Sequence, residues 1–99
     1  MKKQDIKLLE RAARVLRVLA HPMRLEIVRI LKDKKEVSVH ELQAALEASQ
    51  SMTSQHLAAL KNVGIVSFRK ESNVCHYYLQ NRNVLKVLNC IKESCKVSE

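Results

Sequence analysis

The stretch SMTSQHLAALKNVGIV, residues 51–66, decides how this chain is read. Its opening is polar except for Met52: Ser51, Thr53, Ser54, Gln55 and His56. Leu57, Leu60 and Val63 then follow at three- and four-residue spacing, the buried side of a helix. Gly64 supplies the stop, because helices commonly end on a residue with positive φ. Ile65 and Val66 open an extended run. A helix whose first turns carry neutral hydrogen-bonding side chains has something to present at its front end.

The reading grows outward from there. Ser49 is the N-cap candidate of this helix and Gln50 its first residue. Upstream, Ser38 and Glu41 have the spacing of a capping box. Val39, Leu42, Ala45 and Leu46 give a short helix ending near Ala48, so two helices meet at the tight polar turn Ala48-Ser49-Gln50. Further back, Leu25, Ile27, Val28, Ile30 and Leu31 mark a helix from Pro22 to about Asp33, with Pro22 suited to its first position. The polar link KDKKE follows it. Ile6, Leu9, Ala13, Leu16 and Ala20 mark a first helix over about Asp5 to Leu19, with a second apolar stripe of Leu8, Ala12, Val15 and Leu19. So wide an apolar girth asks for two neighbours, its own core and a second subunit.

Downstream, IVSFRK and VCHYYL are two β-rich runs joined by Glu71-Ser72-Asn73, a hairpin signal. Asn81 or Asn83 caps a last helix with Val84, Leu85, Val87, Leu88 and Ile91 apolar. The fold class is therefore mainly α with a small β-hairpin wing: a winged helix-turn-helix in the order α-α-α-α-β-β-α. Residues 1–99 form one domain, with no internal repeat or linker. A chain of 99 residues buries only roughly 60–65% of its unfolded surface, which again favours a partner subunit.

In a helix-turn-helix the second helix enters the major groove by its N-terminal end. Gln pairs bidentately with adenine, and Ser and Thr bond donors or acceptors on base edges. Gln50, Ser51, Thr53, Ser54 and Gln55 meet that need, with Met52, Leu57 and Leu60 anchoring the helix from behind. Two readings stay open for His56: a phosphate contact, or packing beneath the wing. The net charge is +8, which makes phosphate an obvious partner. It is unevenly spread: residues 1–36 carry +6, residues 37–64 carry −1 and residues 65–99 carry +3. The reading head is nearly neutral while its flanks, including Arg69 and Lys70 on the wing, are basic. That suits a division in which phosphate contacts position and neutral side chains read. Arg69 and Lys70 also fit a solvated hairpin edge. The expected partners are double-stranded DNA and a second copy of the chain. A winged helix used only for protein contacts is the rival reading; a basic surface on both sides of the fourth helix separates the two.

The segments LAHPMRLEIVRIL, SVHELQAAL, ASQSMTSQHLAALKNVGIVSFRKE and HYYL resemble the ArsR family of bacterial winged-helix repressors. The likeness covers about residues 8 to 80. Its most specific parts are Leu19 to Arg24 and Gln50 to Leu57. The resemblance implies a homodimer joined through the first and last helices, operator binding at a promoter, and release by an inducer. It maps DNA contacts onto Gln50, Ser51, Ser54 and Gln55, and the wing onto Arg69 and Lys70. Metal-sensing members carry Cys-x-Cys where this chain has Ser38 and His40. Another branch places Asp and His ligands on the last helix, where this chain has Asn81 and Asn83 and no histidine after them. His21, His40, His56 and His76 include no helical i, i+4 pair with another His or Cys, and adjacent Cys75 and His76 point to opposite faces of a strand. No metal and no cofactor is expected, and the sequence leaves the inducer, a small molecule or a redox signal, unidentified.

Three cysteines make no even disulfide framework, so the chain reads as reduced and cytoplasmic. Cys90 and Cys95 are the candidates for a redox role. They lie about 140° apart around one helix, so a bond between them needs a dimer partner or a frayed end. The plainer reading makes Cys90 a small buried hydrophobe and Cys95 a tail residue. The basic start has Asp5 and Glu10 and lacks a Ser-rich tract, which argues against a targeting helix. No apolar run reaches the ~18 residues of a membrane span. No nucleophile has a base and orienting partner in sight, so no enzyme is expected.

Overall fold

A computed structural model describes residues 2–96, so both ends of the expected 1–99 domain lie outside the described residues. The elements run α1 (Lys3–Leu19), α2 (Pro22–Asp33), β1 (Val37–Ser38), α3 (Val39–Leu46), α4 (Gln50–Asn62), β2 (Val66–Glu71), β3 (Val74–Leu79) and α5 (Val84–Cys95). The order expected from the sequence holds, with β1 added.

Local chemistry sets the boundaries. At α2, Pro22 stands at the start and the His21 Nδ1 accepts the Met23 N–H at 3.1 Å. At α3 both arms of the capping box are present: Glu41 N donates to Ser38 Oγ at 3.1 Å, and Ser38 N donates to Glu41 Oε1 at 3.3 Å. Helix α3 stops at Leu46, two residues short of the expected end, because Glu47 turns left-handed at φ 51°. Ser49 caps α4 by accepting the Met52 N–H at 3.1 Å. At its far end Gly64 takes φ 79°. The Ile65 N–H reaches back to Leu60 O and the Gly64 N–H to Lys61 O, both at 3.0 Å, which is the Schellman closure.

Strands β2 and β3 pair antiparallel from Val66↔Leu79 to Glu71↔Val74. Glu71 belongs to the strand, so the loop is only Ser72-Asn73, both with positive φ as a type I′ turn requires. The sequence reading missed β1, which pairs Val37↔Tyr77 and Ser38↔His76 and makes β3 the central strand. Two residues are too short for a period-2 signal, and Val37-Ser38 also opens the capping box of α3.

The core lies where α2, α3 and α4 meet the sheet: Ile27, Val28, Leu31, Leu42, Leu57 and Leu60 are fully buried. Helix α1 joins it only by its C-terminal part, where Leu19 enters the core and Val15 and Val18 pack against it. Only Leu19 of that helix is buried, while Ile6, Leu8, Leu9 and Leu16 remain exposed. The Cα radius of gyration is 14.8 Å, against about 13 Å for a compact domain of this length. On α5 only Val84 is buried, and Val87 and Ile91 are exposed. Leu16 and Leu19 of α1, Val28 of α2 and Val84, Val87 and Ile91 of α5 line one apolar groove. Among the described residues no helix is long and apolar enough to cross a membrane.

Candidate nucleic-acid interface

Helix α4 has two faces. Thr53, His56, Leu57 and Leu60 are its buried residues. Gln50, Ser51, Ser54 and Gln55 are exposed, on its first two turns. These four amides and hydroxyls form a hydrogen-bonding edge carried on a packed helix. The connection behind it is Glu47-Ala48-Ser49, held by Ala48 N to Gln43 O at 3.3 Å and by the Ser49 cap.

Three expectations for this helix are corrected. Thr53 is fully buried, and its hydroxyl donates to the Ser49 carbonyl at 2.9 Å. It fastens the first turn of α4 and has no free edge for a base. His56 is 6% exposed. Its Nδ1 accepts the Arg24 Nε–H at 3.1 Å, and its ring lies 4.6 Å from that of His21. Of its two open readings the buried one holds, but against α2 rather than beneath the wing. Burial, then the neighbouring His21 and Arg24, keeps its pKa below the usual histidine value. Met52, expected as an anchor, is instead exposed. Position 53 falls on the inner side of the helix and position 52 on the outer one, a phase set by Leu57 and Leu60.

The wing differs from its formal charge. Arg69 Nε donates to Glu36 Oε2 at 2.8 Å and its Nη1 to Glu71 Oε2 at 2.5 Å. The carboxyls of Glu36 and Glu71 are lowered, in each case first by the hydrogen bond from Arg69, whose own pKa is raised. One cation is thus spent on two carboxylates. Lys70 is exposed and enters no ion pair among the described residues. The ammonium of Lys61 lies 5.6 Å from the Phe68 ring centroid, tying the end of α4 to the hairpin. Phe68 in turn sits 5.3 Å from Tyr77 across the strands.

Cys90 and Cys95 are both free and exposed on α5, and Cys75 is half-buried. Cys90 is therefore no core residue of the single chain, contrary to the plainer expectation. Among the described residues no three His, Cys, Asp or Glu side chains gather as a metal site needs.

Two capped helices joined by a three-residue turn, followed by a β-hairpin, define a winged helix-turn-helix, the class in which the second helix docks in the major groove of DNA. Residues 21–67 match the family model described as bacterial regulatory protein, arsR family. The transcriptional activator HlyU of Vibrio cholerae is 40% identical over 81 residues, which are 82% of this chain and 74% of that one. Its solved structure has a TM-score of 0.78, covering 96% of this chain and 98% of that one. NolR from Sinorhizobium fredii is 31% identical with a TM-score of 0.85, covering 99% and 97%. The homodimeric winged helix-turn-helix DNA-binding domain Mb0332 from Mycobacterium bovis is 26% identical with a TM-score of 0.84, covering 95% and 86%. The chain belongs to the ArsR family of bacterial regulatory proteins. It is a DNA-binding regulator of transcription.

Proposed function

We propose that the chain acts in the cytoplasm as a homodimeric repressor that reads an inverted-repeat operator with Gln50, Ser51, Ser54 and Gln55. The observation that carries this is the exposed polar edge on the first turns of α4, a helix packed into the core through Thr53, His56, Leu57 and Leu60. Lys70 supplies a positioning phosphate contact from the wing. Arg69 shapes the hairpin instead, because two carboxylates already hold it. The dimer forms where Ile6, Leu9 and Leu16 of α1 meet Val87 and Ile91 of α5 and their copies, since these large side chains are left uncovered in one chain. The homodimeric Mb0332 domain supports that assembly. HlyU is named an activator. The same contacts serve either outcome, because the position of an operator decides whether bound protein blocks or assists transcription.

Selection from a random duplex pool tests the proposal. The protein should enrich an inverted repeat with half-site centres about 34–36 Å apart, one helical turn. A pool that stays random after repeated rounds rejects it.

A further inference from the structure

Beneath the reading edge lies a cluster that none of the contacts above uses. His21 is the N-cap of α2, Arg24 lies in its first turn, and His56 is on the inner face of α4. The Arg24 guanidinium spans two elements. Its Nε donates to His56 Nδ1 at 3.1 Å, and its Nη1 donates to the Val18 carbonyl of α1 at 3.2 Å. One side chain therefore links the end of the proposed dimer helix to the middle of the reading helix.

The hydrogen bonds fix the protonation state. An Nδ1 that accepts from Arg24 carries no proton, so neutral His56 holds its proton on Nε2. That Nε2 is buried and has no hydrogen-bond partner among the described residues. The His21 ring beside it has its own Nδ1 occupied as acceptor of the Met23 N–H. Both rings accept through Nδ1, so neither offers Nε2 as a lone pair to a metal while these bonds stand. His56 is held in the cluster as the acceptor of one guanidinium N–H.

We propose that Arg24 and His56 are positioning residues for DNA reading: they hold α4 at the angle that presents Gln50, Ser51, Ser54 and Gln55, and the grip requires His56 to be unprotonated. A second proton on His56 lands on Nδ1, facing the Arg24 Nε–H. Two donors and two positive charges then oppose each other in a buried site, and the bond opens. The groups acting on the charge of His56 are His21, the N-cap of α2, and Arg24 in its first turn; α1 contributes the Val18 carbonyl, and among the described residues none of α3 or β2 acts on it. Among the described residues no carboxylate acts on the ring to offset the added charge. The direction is distinctive. A histidine that contacts phosphate binds DNA more tightly as pH falls, whereas this one should release it.

The inference rests on the DNA-reading function proposed above, and one experiment separates the two. The probe is a fluorescein-labelled duplex recovered from the random pool at pH 7.5, titrated with the full chain by anisotropy at pH 7.5 and 5.0. If no duplex is recovered, the function itself fails. If one is, the wild type should bind it about threefold or more weakly at pH 5.0, since one linked proton changes affinity by up to tenfold per pH unit. His56→Asn keeps an acceptor at the Nδ1 position and cannot titrate there, so its loss of affinity between pH 7.5 and 5.0 should be clearly smaller than that of the wild type. Arg24→Gln should weaken binding at pH 7.5 about tenfold while leaving the salt slope unchanged, whereas loss of a phosphate contact lowers that slope by about 0.9. Circular dichroism in parallel should show the helices intact at pH 5.0. Wild-type affinity that holds or rises at pH 5.0, the same fall in His56→Asn, a flattened slope in Arg24→Gln, or unfolding of both proteins in this window would overturn the proposal.

Discussion

At the residue scale, burial separates the side chains that read from those that hold. Thr53 and Ser54 are neighbours of similar chemistry, yet Thr53 spends its hydroxyl on the Ser49 carbonyl while Ser54 faces outward. Thr53→Val keeps the shape and deletes only that bond; the Ser49 carbonyl still accepts the Thr53 N–H at 3.0 Å. It should leave the selected base preference unchanged and cost about 1 kcal/mol or less by urea unfolding. A changed consensus would return Thr53 to the reading set. The Arg69 cluster makes a pH prediction. The lowered Glu36 and Glu71 carboxyls favour the folded state above the ordinary carboxylate range, and that contribution is lost as pH falls through their folded values. The stability gap between wild type and Arg69→Ala should therefore be present at neutral pH and close below about pH 4. A gap that stays constant into acid would mean that Arg69 contributes through packing alone.

At the element scale, the stop after α4 is the position most exposed to substitution. Gly64 holds φ 79°, and a Cβ there meets nothing within 4 Å. The penalty of Gly64→Ala is thus backbone strain alone, about 1 kcal/mol, or a Tm lower by about 4–8 °C. A Tm within a degree of wild type would show that the turn relaxes freely. The ease of reading this element from sequence has a physical cause. Capping residues and Gly64 act on the two or three backbone groups beside them, so the chain order alone fixes α3, α4 and the hairpin turn. Strand β1 and the Arg69–Glu36 ion pair were not legible for the opposite reason. Val37 meets Tyr77, and Glu36 meets Arg69 across 33 positions; only the fold brings them together. The same holds for His56, whose partner Arg24 is 32 positions away. At Met52 and Thr53 the signal was legible but misassigned: carried back at about 100° per residue, the phase of Leu57 and Leu60 already turns position 53 inward and position 52 outward.

At the scale of the whole molecule, a small core is joined to a helix that it scarcely covers. Leu8, Leu9 and Leu16 of α1 and Val87 and Ile91 of α5 are exposed, and they are the surface on which the proposed dimer rests. Val87→Asp should leave the single chain folded, because that side chain is 41% exposed, and should shift sedimentation from two-chain to one-chain mass. An unchanged two-chain species would place the dimer contact elsewhere. The central claim, that the outer face of the first turns of α4 reads bases while charge elsewhere only positions the protein, is tested most directly by one measurement. Anisotropy titrations of wild type and Gln50→Ala, against the selected duplex and a scrambled one across a range of salt, separate the two terms. Gln50→Ala should lose about 1–3 kcal/mol of discrimination between the duplexes while both proteins keep the same salt slope. An unchanged discrimination, or a loss of affinity equal for both duplexes, would contradict it.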